Sequence, residues 1–305
     1  MENRKTEIRN ILPQAGAFVS LSFSDAPLAD EKDTEANNRI TTISMIDQKI
    51  WIGHEGGVSL FENGKFLKWS LDEIEKSNVT DIIQYKGKIV VVTNFGWIYT
   101  LSQQTNKKGK KQWKIALLDS IPEDIIQFND MLVYKDKLLI ATTTGLYETA
   151  DLKKFTRKES FSAYVLTGLA ETENGELYVS TFDGELFKSS GNLKHTISIP
   201  ISVPDFSIKK CYIDSRKQIW LSSPNGVLRI GRNGQQLYLN EANGLPIAYT
   251  KCVFEDREGT IWVGSDGKGL LRFTGEQFRF FKESTGFPSE LFVSIAKRKD
   301  GTYFL

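Results

Sequence analysis

Gly259-Thr260-Ile261-Trp262-Val263-Gly264-Ser265 is the stretch that decides the fold of this chain. Gln218-Ile219-Trp220-Leu221-Ser222-Ser223 is a close copy, and Ile50-Trp51-Ile52-Gly53 is a third. Weaker copies are Leu177-Tyr178-Val179-Ser180, Leu138-Leu139-Ile140-Ala141, Ile89-Val90-Val91-Val92 and Tyr303-Phe304-Leu305. Their starting positions, 50, 89, 138, 177, 219, 261 and 303, are separated by 39, 49, 39, 42, 42 and 42 residues. A second marker keeps the same beat: Pro204, Pro246 and Pro288 each stand 15 residues before an anchor, and Pro122 stands 16 before its own. A fixed period of this length marks a repeat architecture.

Each period reads as four short strands. In the best copy they are Thr250 to Glu255, Ile261 to Gly264, Leu270 to Phe273 and Phe278 to Phe281, separated by Gly-, Asn- and Asp-containing turns. The only helical signal is one turn at Leu71-Asp72-Glu73-Ile74-Glu75. Because Ile261-Trp262-Val263 is apolar on consecutive residues, both faces of that strand must be covered. Four-stranded sheets packed face to face around an axis meet that need. The expected fold is therefore an all-β, seven-bladed β-propeller of four-stranded antiparallel blades, a single domain over residues 1–305. Trp51, Trp220 and Trp262, with Tyr178 and Tyr303 at the equivalent place, are expected to be core wedges between blades. Cys211 and Cys252 fall near equivalent points of successive first strands. Leu305 lies inside the second strand of the seventh unit, so residues 1–37 are expected to close the ring. Ala17 to Phe23 would supply a closing strand and Asp25 to Asn38 a mobile polar loop; the competing explanation is a longer array cut between strands. The spacing of 49 reflects a basic outer hairpin at Ser102 to Lys111.

Composition narrows the function. The chain has 305 residues, 40% hydrophobic and 11% aromatic, enough for a packed core. Lys plus Arg is 39 and Asp plus Glu is 38, so no global field draws it to nucleic acid or anionic lipid. No apolar run approaches the ~18 residues of a membrane span, and the charged amino terminus is not an intact secretory signal. Two cysteines and two histidines, His54 and His195, give no disulfide framework, metal cluster or cofactor motif. No Gly-x-Ser-x-Gly elbow is present. His54 beside Glu55 is expected to be an exposed polar loop element, not a catalytic pair. Carboxylates from different blades, such as Glu55, Asp183 and Asp266, leave glycosidic cleavage as a minor alternative.

The unit from Asp256 to Gly259, through Ile261-Trp262-Val263-Gly264-Ser265, Gly269-Leu270 and Gly286-Phe287-Pro288, resembles the two-component regulator propeller repeat. Asn243-Gly244-Leu245-Pro246, Leu228-Arg229 and Gly57-Val58 fit the same pattern. The likeness is strong in units one, five and six and weak in units two to four. It implies the extracytoplasmic, periplasmic sensory part of a membrane-bound regulator, with an output domain outside this chain. Oligosaccharides are the ligands such a resemblance implies, and a cytoplasmic location is the alternative.

Recognition is expected on the face holding the turns between second and third strands. It carries His54, Glu55, Asn94, Phe95, Thr143, Phe182, Asp183, Asn225, Asp266 and Lys268. Aromatic faces, amides, hydroxyls and both charges suit a small polar, hydroxyl-rich ligand. The plainer reading is that turns are polar for geometric reasons. A non-catalytic sensor is thus expected first, a protein-interaction scaffold second, and a propeller lyase or glycosidase third; a homodimer is left open.

Overall fold

Ile261–Ser265 and Ile219–Ser223 are buried along their whole length, and Lys49–His54 is buried except at Lys49. Strands covered on both faces need a sheet partner at each edge and a packed layer above and below, and the surrounding chain supplies both. The computed structural model describes residues 18–19, 40–62, 65–71, 77–105, 107, 109–118, 122, 125, 127–190, 193, 196–243, 245, 249–266, 269–273, 278–281, 294–297 and 303–304. Six sheets each contain four strands consecutive in the chain, within residues 40–70, 79–117, 128–157, 166–199, 210–239 and 250–281. These are blades one to six. All pairings within them are antiparallel, and the first strands of successive blades pack against one another around an axis.

The expectation of seven four-stranded blades is corrected to six. The seventh anchor, Tyr303–Phe304, lies in a three-stranded sheet whose strands are two residues long. There Phe18–Val19 pairs with it in parallel, while Ala296–Lys297 pairs antiparallel on the other edge. An N-terminal segment that completes a fourth antiparallel strand, and so closes a seventh blade, is not what forms. The period identifies a strand with the anchor's composition; whether four strands assemble around it depends on partners remote in sequence. Ala296 packs with Ile43, Ile50 and Ile52 of blade one. The expected helical turn at 71–75 and loop at 25–38 fall mostly or wholly outside the described residues, as do the side chain of Tyr303, His195, Pro246 and Pro288.

The wedge residues act between blades. Trp51, Trp220 and Trp262 are each 1% exposed, and Tyr178 is buried. Trp51 meets Trp113 of blade two edge-on at 4.9 Å and stacks on Trp69 at 5.8 Å. Trp220 packs with Val253, Val263 and Phe273 of blade six. Tyr178 joins Cys211, Ile219 and Leu221 of blade five.

The turn before the wedge explains the rest of the sequence signature. Asp256 Oδ2 accepts the Trp262 Nε1–H at 2.9 Å, and its Oδ1 accepts the backbone N–H groups of Glu258 and Thr260. Gly259 closes the turn at φ +75°, a conformation that costs glycine little. Blade five repeats the contact, Asp214 Oδ2 accepting Trp220 Nε1–H at 2.9 Å, with Lys217 at φ +60° in the glycine's place. Blades one to three instead use two-residue turns, Asp47-Gln48, Lys86-Gly87 and Lys135-Asp136, with both residues at positive φ. Hence the signature is complete only where the longer turn carries an aspartate to the indole.

Truncating Trp220 to Ala is expected to cost about 3–5 kcal/mol. Asp214→Ala is expected to cost about 1–3 kcal/mol by orphaning the buried indole N–H. Urea unfolding of the single variants and of Asp214→Ala in a Trp220→Phe background checks the pairing: the aspartate's effect should shrink in the double variant, and simple additivity would refute the coupling.

Candidate functional site: the axial channel and its mouth

First strands crowd the axis, so one register position from each blade faces its equivalents. Pairing with the third residue after each anchor identifies that position as Thr42, Asp81, Asp130, Gly168, Lys210 and Cys252. The cysteines are therefore one residue out of equivalence: Cys252 matches Lys210, whereas Cys211 matches Val253. Both are free thiols, and burial pushes both up, Cys252 to about 12, so neither is a ready nucleophile.

Inside this ring sits a charged cluster. Lys210 Nζ reaches Asp130 Oδ1 at 2.8 Å and donates to the Asn129 carbonyl at 2.9 Å. Asp81 Oδ2 accepts the Met131 N–H, and Asp130 Oδ2 accepts the Leu169 N–H, so each carboxylate ties its blade to the next. Burial first, and the Asp130 carboxylate second, push Asp81 up to about 6, against the opposing pull of Lys210 and two backbone N–H donors. Burial alone would lower Lys210; Asp130 and Asp81 hold it above its ordinary value. One ammonium serves two carboxylates, so a proton on Asp81 relieves the imbalance.

Towards the face where first strands begin, the axis opens into a cavity of about 650 Å³. Its wall combines amides and hydroxyls from blades one to four, among them Asn78, Gln127, Asn129 and Thr167, with Lys209 and Lys210 from blade five. Asn78 Oδ1 and Thr143 Oγ1 are buried here without a hydrogen-bond partner among the described residues. Exposed large apolar side chains stand on the same end: Phe95, Trp97 and Phe182 in turns between second and third strands, and Val165 and Tyr249 just before first strands; of these, Phe182 and Val165 line the cavity. Lys209 Nζ lies 4.6 Å from the Phe182 ring centroid.

The ten residues expected at the face do not all meet. Asn94, Thr143 and Phe182 line the cavity, and Asn94 Oδ1 also accepts the Asn78 N–H at 2.7 Å. Phe95 is 54% exposed beside it. Glu55 forms a backbone bridge to Asn78. Asp183 is exposed and does not line the cavity; Asn225 is a turn residue whose carbonyl accepts Tyr238 O–H; Asp266 pairs with Lys251 at 2.9 Å. Lys268 lies outside the described residues. His54 is corrected: it is 4% exposed, not a loop element, with Nδ1 3.0 Å from the Glu55 carbonyl and Nε2 3.1 Å from Ser59 Oγ. Burial lowers its pKa despite the carbonyl contact, with the Lys68 charge adding to the fall. Sequence reading missed Asn78, Gln127, Asn129, Thr167, Lys209 and Lys210. Their signal was the start of the first strand, nine to eleven residues before each anchor, where polar side chains interrupt otherwise apolar units.

Residues 244–267 match the model of the two component regulator propeller. This stretch is similar to one repeat of that family. No curated protein matches the chain at a significant level. Among solved structures, the extracellular domain of a hybrid two component system from B. thetaiotaomicron superposes with a TM-score of 0.69 at 20% identity, over 88% of this chain and 38% of that one. A second such domain from B. thetaiotaomicron gives 0.69 at 15%, over 88% and 37%. The chain thus spans little more than a third of those two structures. A streptogramin B lyase superposes equally well, 0.69 at 13% identity, over 88% of this chain and 91% of the lyase. At these identities the likeness is one of fold: a propeller resembling the extracellular domains of hybrid two component systems, with enzymes on the same scaffold. None of the described residues of the matched stretch lines the cavity, so the match bears on the blade and not on the site.

A raised carboxylate stabilises the fold below its unfolded pKa, and the contribution is lost as pH rises through the folded value. For Asp81, raised from 3.8 to about 6 by burial and by the Asp130 charge, stability is therefore lost as pH rises from about 4 through 6. Urea midpoints across that range should fall in the parent relative to Asp81→Asn; a constant difference between the two would contradict the assignment.

Proposed function

We propose that this chain is a non-catalytic sensory module that binds a small polar, hydroxyl-rich ligand, of the oligosaccharide class, at the mouth of the axial channel. Binding biases the arrangement of the propeller against an output domain outside the chain. The observation that carries this reading is the cavity itself: buried Asn78 Oδ1 and Thr143 Oγ1 have no hydrogen-bond partner among the described residues and line a space that the exposed Phe182 ring also lines. Sugars present an apolar ring face for stacking and a perimeter of hydroxyls for amides. The likeness to extracellular sensor domains supports both the role and an extracytoplasmic location. His54, the histidine among the described residues, is engaged within its own blade through both ring nitrogens, which favours recognition over acid–base chemistry at the mouth.

Thermal-shift and calorimetric titration with an oligosaccharide panel, with and without divalent metal, tests this. A sugar-specific rise in Tm without turnover is expected. Phe182→Ala and Thr143→Val should each weaken binding by about tenfold while leaving the apo Tm nearly unchanged. Product formation would replace this reading with the lyase or glycosidase alternative. Failure of every sugar, with binding of a protein partner at the same rim, would replace it with the scaffold.

A further inference from the structure

On the face opposite the channel mouth, blades five and six part to leave a second cavity of about 640 Å³. Three arginines line it, Arg216, Arg229 and Arg272, against two carboxylates, Asp214 and Glu258. The Asp214 oxygens are already committed to the Trp220 indole and the Gln218 N–H, and Glu258 stands at the exposed rim. Arg229 and Arg272 occupy the same place in successive third strands, each directly across from a wedge tryptophan.

Their guanidinium groups are held by rings and not by anions. The Arg229 guanidinium carbon lies 5.9 Å from the Trp220 centroid and 5.8 Å from that of Phe273; the Arg272 carbon lies 5.9 Å from Trp262. Neither head group has a hydrogen-bonding or ion-pair partner among the described residues, and Arg272 Nε is buried without one. Arg216 donates one nitrogen to the Gly259 carbonyl at 2.6 Å, which bridges the two blades at the cavity's edge. Guanidinium forks fixed against aromatic faces are pre-organised for bidentate contact with an oxyanion, since little side-chain entropy remains to be lost.

We propose that this inter-blade cleft is a second binding site, separate from the axial mouth, for a small ligand bearing carboxylate, sulfate or phosphate groups, with Arg229 and Arg272 as its principal contacts and Arg216 at the rim. The argument is independent of the ligand taken at the mouth.

Calorimetric titration of the full chain with citrate, sulfate and inorganic phosphate, at constant ionic strength, tests the site. Saturable binding is expected for at least one of the three, weakened about tenfold or more by Arg229→Gln and by Arg272→Gln, and unaffected by Phe182→Ala. Arg216→Gln, on an exposed side chain, should weaken it severalfold in a protein that still folds, which covers the case where the half-buried Arg229 and Arg272 variants unfold. Arg229→Lys should restore only part of the affinity, because the charge is kept and the fork is lost. Absence of binding by all three anions, or binding that persists unchanged in Arg216→Gln and the folded arginine variants, overturns the proposal.

Discussion

The second strand of each blade is apolar on consecutive residues, and covering both of its faces is the constraint on which the remaining structure depends. Between blades the cover is the neighbouring blade: Trp51 reaches Trp113, Tyr178 reaches Cys211 and Leu221, and Trp220 reaches Val253 and Phe273, while Ala296 of the three-stranded sheet packs on Ile50 and Ile52 of blade one. Sheets that stack this way around an axis force their first strands together at the centre. The ring of Thr42, Asp81, Asp130, Gly168, Lys210 and Cys252 is a consequence of packing several ångströms farther out. Channel chemistry and core packing are therefore linked, and Val79 takes part in both, in the cavity wall and in the core between blades one and two.

The polar side chains near the axis do structural work as well. Asp81 and Asp130 each accept a backbone N–H of the following blade, next to a bulge that leaves one residue unpaired in the first strand. Thr41 Oγ1 reaches the Val79 carbonyl and Asn129 Nδ2 the Leu166 carbonyl in the same sense. Blade contacts at the axis are thus largely hydrogen-bonded, while those outside combine apolar packing with single bonds such as Tyr85 O–H to the Asp136 carbonyl and Arg216 to the Gly259 carbonyl. Such a division holds the blades in register without filling the channel.

The two ends of the molecule differ for a geometric reason. At the mouth, first strands begin and short turns join second to third strands, which brings amides, hydroxyls and exposed rings around one opening. At the other end the Asp-x-x-Gly turns lie beside the ends of third strands, which brings arginines over the wedge tryptophans. One repeated unit thereby offers two chemically distinct surfaces, and variation between repeats alters each separately.

The period, the four strands of each unit, the buried tryptophans and the glycine-closed turns were legible in the amino acids alone. Each is a local demand: apolar residues on both faces of Ile261–Ser265, or a positive φ at Gly259, can be met in one way wherever the segment lies. Blade number was not legible, because the anchor at Tyr303 finds a parallel two-residue partner in Phe18–Val19 instead of a four-stranded sheet. Nor was the composition of the site. Asn94, Thr143 and Phe182 converge while Asp183, Asn225 and Asp266 do not, His54 turns inward, and the Asp81–Asp130–Lys210 cluster joins residues up to 129 positions apart. Distances across an axis are set by how many sheets surround it and how each is rotated, and that information resides in the packing of whole blades, not in any one residue.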